Sequence, residues 1–370
     1  MSTKKQDQLS YNMQNKEVIF AKRLKQARTR EKLSMEDLCS QMDCSITKQA
    51  ISKYEKAQMM PTSTVLIELA KVLKVSLDFF FRPFEVEDET FQVSFRKKSK
   101  MSNKDVEALK AQIQDDAERY LEVEQILGKI DNKPLISFQE GVLSTPEDMV
   151  RCAKRIRDEW NLGTDNISNV QEMLESHGII VIYTDGPEDF FGVSGFVNNN
   201  RPVIVLNSAQ PHVERRRLTA LHELCHLLFN HNFDPTLTNH QKENLCNSFA
   251  NELLLPGEVL ISRFKGCRYI VMDELNSLAL IYGISIDAII HKLKDMGIIN
   301  EQRYRWINIR KNQDSSFKKM IERSVYEEKT IDHFVPMVYT ALARDLITTS
   351  KAASLLNITV DDVLANYKVI

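Results

Sequence analysis

The chain has 370 residues, of which 43% are hydrophobic and 27% charged, and its formal net charge is −2. This composition excludes disordered and collagen-like chains, and the length exceeds what one hydrophobic core usually spans. No segment approaches the roughly 18 apolar residues that a transmembrane helix requires, so we expect a cytoplasmic protein without membrane contact.

The distribution of charge and the spacing of the cysteines indicate possible partners and the redox state of the thiols. Residues 1–84 carry fifteen Lys and Arg against nine Asp and Glu, a local excess of +6 that leaves −8 for the rest. This asymmetry favours contact between the N-terminal segment and a polyanion. The six cysteines include no C-x-x-C pair, which argues against a disulfide framework and a zinc ribbon and favours reduced thiols.

The first 84 residues predict a small domain of short helices. Ser34 can cap one helix, with Asp37 placed to reach back to the cap. A later helix at residues 47–55 can turn Ala50, Ile51 and Tyr54 inward. Its start and outer face supply the predicted DNA-binding residues Thr47, Lys48, Gln49, Ser52 and Lys53. Gln can pair with adenine, and Lys with guanine or phosphate, when such a helix lies in the major groove.

Three stretches carry a resemblance to the Xre/Cro family of phage-repressor-like helix-turn-helix domains: AKRLKQARTREKLSMEDL, TKQAISKYEKAQMMPTSTVLIELAKVL and KVSLDFFF. The resemblance implies an all-α domain that binds a double-stranded DNA operator. The turn before the recognition helix, CSITKQAIS, is longer than the commonest pattern, which leaves the base-contacting side chains open by a residue or two. A helical protein-interaction domain with a solvated basic face is the alternative.

Residues 85–145 predict a helical connector. An acidic patch (EVEDET) and a basic run (FRKKSK) precede a helix at residues 103–127, and residues 129–143 predict irregular structure. We interpret the basic run as a solvated hinge, with DNA contact as the alternative.

From residue 146 the pattern becomes mixed α and β. Thr145 and Pro146 suit a helix start, and a second helix is predicted at residues 169–177. Strands are predicted at residues 179–183, 192–197 and 203–206, and the last of these is expected to hold a peptide substrate by edge pairing. A small sheet therefore precedes an apolar helix at residues 217–229.

That apolar helix contains the motif HELCH. His222 and His226 lie one turn apart on the same face, so both imidazoles can bind one Zn²⁺, and Glu223 beside them can take a proton from water. The metzincin pattern is excluded because Phe229 and Asn232 replace its glycine and last histidine.

The third ligand must then come from elsewhere. The helix at residues 241–255 offers Glu243 and Glu252, and we choose Glu243 because it shares a face with Cys246 and Asn247. The oxyanion donor stays open between His231 and Tyr183.

The stretches SGFVNNNRPVIVLNS, RRRLTALHELCHLLF and ENLCNSFANELLLP resemble the ImmA/IrrE metallopeptidase family, and the resemblance covers about residues 146–300. It implies a gluzincin-like endopeptidase with zinc on His222, His226 and Glu243, and with Glu223 as catalytic base. Cys225 stands where the family usually has glycine and Cys246 where it usually has alanine. We interpret both cysteines as packing residues.

The sequence thus predicts an α+β multidomain chain with four parts. They are a helix-turn-helix domain (1–84), a helical connector (85–145), a zincin-like metallopeptidase domain with a small sheet (146–265) and a helical C-terminal region (266–370). In the last part, residues 272–299 favour a helical hairpin over a second helix-turn-helix.

The predicted function is a DNA-binding transcriptional regulator with zinc-dependent endopeptidase activity. By family analogy its protein substrate is a repressor in a mobile-element or stress-response switch. The alternative is a DNA-binding repressor or antitoxin-like regulator whose zinc domain is sensory or structural. A homodimer is left open.

Overall fold

The computed structural model describes residues 2–83, 92–93, 102–128, 141–197, 201–267, 269–323, 326–328 and 333–367. The chain divides into two compact units. Unit 1 comprises Met1–Phe91, Phe95–Asp131 and Ile331–Ile370, and unit 2 comprises Gln92–Ser94 and Asn132–Thr330. The predicted basic hinge at 95–100 and most of the predicted irregular stretch at 129–143 lie outside the described residues.

Helices dominate both units and a small sheet belongs to unit 2, which confirms the predicted α+β class. The helices are α1 Ser2–Arg30, α2 Met35–Gln41, α3 Lys48–Glu55, α4 Ser63–Val72, α5 Asn103–Ile126, α6 Pro146–Glu159, α7 Val170–Ser176, α8 Val213–Phe229, α9 Asn239–Leu254, α10 Gly257–Phe264, α11 Met272–Tyr282, α12 Ile286–Asp295, α13 Glu301–Gln313, α14 Ser315–Glu322, α15 Phe334–Ala343, α16 Thr349–Leu356 and α17 Val360–Asn366. The strands are β1 Gln92–Val93, β2 Ile180–Thr184, β3 Gly192–Val197 and β4 Arg201–Asn207, and a 3-10 turn spans Asp78–Phe81.

The helices α1 to α4 enclose the first core of unit 1. Among its completely buried side chains are Phe20, Leu24, Leu38, Ile51, Leu69, Leu73 and Phe80. The predicted cap of α2 is confirmed, because the Ser34 hydroxyl accepts a hydrogen bond from the Asp37 amide and the Asp37 carboxylate accepts one from the Ser34 amide. Thr47 caps α3 by accepting from the Ala50 amide at 3.3 Å. This cap fixes where α3 begins, and thereby which of its side chains face outward.

A buried ionic cluster joins α1 to α5. The Arg23 guanidinium is completely buried, and it donates to Glu118 at 2.5 Å and to the Arg82 carbonyl at 3.0 Å. Arg82 in turn pairs with Asp115. Burial raises the pKa of Glu118 to about 7 although Arg23 opposes the shift. Because a buried charge without a partner is costly, these contacts fix how α5 packs against α1.

The C-terminal helices α15 to α17 also belong to unit 1. Their core includes Val338, Leu355 and Val363 and extends to Val123 on α5. Lys351 on α16 forms an ion pair with Glu122 on α5 at 2.6 Å. Residues far apart in sequence therefore build one unit around α5.

The sheet of unit 2 has the order β1-β3-β4-β2. β3 is antiparallel to both β1 and β4, whereas β2 and β4 are parallel, with Ile180 opposite Val203. Every residue of β4 is buried, as expected for a central strand. The expectation that residues 203–206 hold a substrate by edge pairing is wrong, because β4 is paired on both sides.

The start of α6 lies where it was predicted, with Thr145 as cap and Pro146 as the first residue. The Asp148 carboxylate accepts hydrogen bonds from the amides of Ser144 and Thr145 at 3.0 and 2.9 Å. These bonds lower the pKa of Asp148 to about 2, and the Ser144 amide contributes most.

The helices α11 and α12 form a hairpin around Gly283 and contribute Leu278 and Ile289 to the main core of unit 2. Gly283 has φ +59°, and a Cβ built there would lie 2.6 Å from Nε of Arg217 on α8. Both the backbone conformation and the space available therefore require glycine.

Candidate metal centre

The helix α8 carries the HELCH motif into the interior of unit 2. Its apolar side chains Leu221, Leu224 and Phe229 are completely buried. His222 and Glu223 are also buried, at 6% and 7% exposure. Buried polar groups require partners, so the neighbours of these side chains determine the chemistry of the site.

Three predicted ligands converge at one point. Nε2 of His226 lies 3.1 Å from Nε2 of His222. The Glu243 carboxylate, on α9, lies 3.1 Å from Nε2 of His222 and 3.5 Å from Nε2 of His226. The two rings meet at 76°, so their Nε2 atoms face a common space rather than stacking.

These separations can be compared with those in a zinc site. Tetrahedral Zn²⁺ with bonds of about 2.0–2.1 Å places neighbouring ligand atoms about 3.3 Å apart. The three observed separations lie on either side of this value, at 3.1, 3.1 and 3.5 Å. The donor set of two imidazoles and one carboxylate, which leaves a fourth position for water or substrate, therefore fits a catalytic zinc ion.

Glu252, the other candidate on α9, is engaged elsewhere. Its carboxylate pairs with the buried Lys292 ammonium of α12 at 2.5 Å and accepts from the Gly257 amide at 2.9 Å. Burial lowers the pKa of Lys292, although Glu252 opposes the shift. The contacts of Glu252 hold α12 against the end of α9 and do not involve the paired imidazoles.

Glu223 is held by the sheet. The Ser194 hydroxyl on β3 donates a hydrogen bond to Oε2 of Glu223 at 2.8 Å, and both residues are buried. This contact fixes one orientation of the Glu223 carboxylate, whose charge acts on both imidazoles. Sequence reasoning missed Ser194, since it precedes Glu223 by 29 positions and no motif spacing connects the two.

The outer nitrogens of the two imidazoles contact consecutive residues of α9. Nδ1 of His222 lies 2.8 Å from Oδ1 of Asn247, and Nδ1 of His226 lies 3.4 Å from Sγ of Cys246. The sequence contained a signal for both partners, because positions three and four residues after Glu243 lie on the same helical face. That signal was used only to choose Glu243.

The pKa values of Glu243 and His226 depend on each other. Burial alone would raise the pKa of Glu243, but its hydrogen bonds with His222 and His226 outweigh burial and lower the pKa well below its ordinary value. Burial would lower the pKa of His226, but its contacts with Cys246 and Glu243 raise it to about 10. Both shifts reflect the close approach of the Glu243 carboxylate to the two imidazoles.

Tyr183 lies apart from Glu223, although it was a candidate oxyanion donor. It belongs to β2, which β4 separates from β3, and it lines a pocket with Gln171, Arg216 and Glu328. Burial raises the pKa of Tyr183 to about 12. His231, the other candidate, is exposed just after α8.

The predicted DNA-binding residues occupy the start and outer face of α3. Gln49 and Lys53 are exposed, and Ser52 is half-buried. Lys48 is exposed and contacts Glu36, and the Thr47 hydroxyl caps the helix. The direct base-contact role of all five residues stays a prediction.

Comparison with known families matches two parts of the chain. A helix-turn-helix model matches residues 24–80, and a model described as the IrrE N-terminal-like domain matches residues 174–294. The chain is a helix-turn-helix domain fused to an ImmA/IrrE-type domain. The HELCH motif and Glu243 lie inside the second match, so they belong to the ImmA/IrrE-type domain.

These matches indicate a DNA-binding regulator with a metallopeptidase-type domain of a metal-dependent family. A search among curated proteins found no match. Within the described residues, no helix has the length and apolar character needed to cross a membrane.

Proposed function

We propose that the chain is a zinc-dependent endopeptidase that binds a DNA operator and cleaves a repressor protein in a mobile-element or stress-response switch. One observation carries the peptidase part: two imidazole Nε2 atoms and the Glu243 carboxylate converge beside a second, separately held carboxylate, Glu223. A structural or sensory zinc site needs the ligands but not a neighbouring base, so the buried Glu223 favours catalysis.

The residues divide into ligands and acid-base groups. His222, His226 and Glu243 would hold zinc, which would acidify water and polarise the scissile carbonyl. Glu223 accepts the proton of the attacking water and passes it to the leaving amine. The hydrogen bond from Ser194 holds Glu223 in one orientation during both transfers.

The proposed binding surface for the substrate is the side of β3 away from β4, which within the described residues β1 pairs only at Gly195 and Phe196. Extended peptides commonly add to a sheet edge through backbone hydrogen bonds, which makes binding tolerant of side chains. β3 carries Ser194, and through it contacts Glu223, so a peptide paired with this strand would pass beside the base. The opposite edge of β3 pairs with β4 and is therefore not available to a substrate.

The helix α3 is the proposed DNA-reading element. Gln49 and Lys53 are exposed on it, within the matched helix-turn-helix region. An exposed amide and an exposed ammonium on one short helix supply the donors and acceptors that base edges in the major groove require. The repressor substrate rests on family analogy, and no residue of the chain identifies it.

Activity is tested with zinc-loaded full-length protein and a peptide library read by mass spectrometry. We expect the wild type to bind one zinc per chain and to cleave library members. Glu223→Gln should keep the zinc and lower kcat/KM about 10²–10⁴-fold, the usual contribution of a general base. Zinc binding without cleavage by the wild type would favour the sensory or structural alternative, and a wild type without zinc would remove the peptidase proposal.

The repressor substrate is tested with the same variant used as a trap. Glu223→Gln protein should retain an uncleaved helix-turn-helix protein that the wild type cuts. If the retained proteins include none that the wild type cuts, the repressor part of the proposal is wrong while the peptidase part stands on the library result.

A further inference from the structure

Two consecutive residues of α9 contact the sides of the imidazoles that face away from Glu243. Oδ1 of Asn247 lies 2.8 Å from Nδ1 of His222, and Sγ of Cys246 lies 3.4 Å from Nδ1 of His226. Cys246 is completely buried. The same helix therefore supplies a carboxylate to the Nε2 atoms and two further groups to the Nδ1 atoms.

The chemistry of imidazole gives these contacts a direction. A neutral ring carries one proton, and a ring that binds a metal through Nε2 must carry that proton on Nδ1. An N–H at Nδ1 needs an acceptor, and a buried N–H without one would destabilise the ligating tautomer. The amide oxygen of Asn247 and the sulfur of Cys246 are placed as those acceptors.

We propose that Asn247 and Cys246 are positioning residues that set the tautomer and orientation of His222 and His226 for zinc. The proposal rests on the zinc site of the proposed function. It assigns unequal roles, because an amide oxygen is a stronger acceptor than a thiol sulfur. It also replaces the sequence-based interpretation of Cys246 as a packing residue.

The competing assignment makes Cys246 a ligand. Donor atoms of His222, His226 and Cys246 lie within 4.8 Å of one another, so a metal held by these three has to be considered. However, the Cys246 sulfur faces Nδ1 of His226, whereas Glu243 faces Nε2. One ring cannot direct both nitrogens to the same ion, so a metal bound through Nε2 leaves Cys246 outside the ligand set.

The test measures the zinc dissociation constant of full-length variants by competition with a chromophoric chelator. We expect Asn247→Ala and Cys246→Ala to weaken zinc binding about 10–100-fold, the usual effect of removing such a partner, with the larger loss at Asn247. Asn247→Asp and Cys246→Ser restore an acceptor and should bind zinc within a few-fold of the wild type. Cys152→Ala is the matched control, because it removes a buried thiol from α6, outside the two helices that carry the proposed ligands, and should leave the constant unchanged.

The outcomes separate this proposal from the proposed function. If the wild type binds zinc and Asn247→Ala and Cys246→Ala bind it equally tightly, the positioning roles are overturned and the proposed function is not. The same holds if the acceptor-bearing variants lose as much zinc affinity as the alanine variants. Circular dichroism of the metal-free variants shows whether each one folds. In cobalt-substituted protein we expect no thiolate-to-cobalt absorption, and its appearance, lost in Cys246→Ala, would make Cys246 a ligand.

A second and independent observation concerns β1. Gln92 lies opposite Phe196 and Val93 opposite Gly195, antiparallel on the outer edge of β3. Gly195 follows Ser194, the residue that holds Glu223. β1 therefore pairs with β3 one residue away from Ser194, where the substrate is proposed to bind.

We infer that the segment Gln92–Val93 competes with peptide substrates for β3. This inference also rests on the proposed function, and it identifies the competitor as the chain itself. The other edge of β3 pairs with β4, so a peptide that extends along β3 to Gly195 must displace β1. Backbone pairing needs no particular side chain, which allows an unrelated substrate to replace this segment.

The test removes the backbone donors of β1. Gln92→Pro/Val93→Pro eliminates both amide N–H groups, and Gln92→Ala/Val93→Ala is the control that keeps them. Hydrogen exchange at the β3 amides should accelerate in the proline variant alone. Because a substrate then has fewer β1–β3 hydrogen bonds to break, kcat/KM for library peptides should rise about 2- to 10-fold for each hydrogen bond that the variant lacks. Unchanged exchange would show that β1 does not cover β3, whether or not the protein is active. Faster exchange without faster cleavage by an active enzyme would overturn the competition.

Discussion

The two candidate glutamates of α9 should respond in opposite ways to the same substitution. Glu252→Gln should lower the stability of unit 2 and leave zinc in place, whereas Glu243→Gln should remove zinc. The physical reason is that Glu252 pairs with Lys292 at 2.5 Å, while Glu243 faces the two imidazoles.

The magnitude follows from burial. Lys292 and Glu252 are each 8% exposed, and removing one partner of a buried ion pair costs about 3–5 kcal/mol. The Lys292 ammonium keeps the backbone carbonyls of Asn251 and Leu255 as acceptors. We therefore expect the lower end of the range, about 3 kcal/mol, which corresponds to a fall in Tm of about 6–12 °C for a unit of this size.

Two measurements on the metal-free and zinc-loaded proteins decide the matter. Differential scanning calorimetry of the metal-free proteins gives Tm, and elemental analysis after dialysis against zinc gives the metal content. If Glu252→Gln lost its zinc while Glu243→Gln kept it, the choice of third ligand would be wrong. A Tm of the Glu252 variant equal to that of the wild type would instead refute the assigned strength of the buried pair.

Three further outcomes are expected. Asp148→Ala should lower stability by about 1 kcal/mol near neutral pH through loss of the cap of α6. The pKa of Asp148 in the folded protein is lowered to about 2, so its contribution to stability is present above the ordinary value of 3.8 and is lost as pH falls toward 2. Denaturant unfolding should therefore show a smaller stability difference between variant and wild type at pH 2.5 than at pH 7. Gly283→Ala should cost about 2 kcal/mol from its left-handed backbone and the close guanidinium, and equal midpoints in urea would contradict this. Gln49→Ala and Lys53→Ala should each weaken binding to a selected operator by about 1–3 kcal/mol without changing zinc content, while Lys56→Ala serves as an exposed control; unaltered discrimination between operator and random DNA would remove Gln49 from the reading surface.

Local patterns predicted most of the elements that position the site. Helical spacing placed His222, Glu223 and His226 on one helix, and the shared face of α9 indicated Glu243, which the structure brings to the same point. Both inferences depend on residues three or four positions apart, which helical geometry relates directly. The site roles of these residues stay predictions.

Contacts between distant segments could not be predicted in this way. The hydrogen bond from Ser194 to Glu223, the pairing of Lys292 with Glu252 and the pairing of β1 with β3 each join segments that no local period relates. The predicted edge role of residues 203–206 was wrong for a related reason. A run of β-branched residues indicates a strand, but its position in the sheet depends on partners elsewhere in the chain.

The ionic cluster around Arg23 has a practical consequence for dissecting the protein. The carboxylate partner of Arg23 is Glu118, which lies well beyond the end of the helix-turn-helix match at residue 80. A fragment that keeps all of α1 but ends at residue 80 would leave the Arg23 guanidinium in an apolar interior without its counter-charge, a loss of several kcal/mol. Measurements of DNA affinity on such a fragment would therefore report partial unfolding together with recognition, whereas a fragment that retains α5 would keep the counter-charge of Arg23.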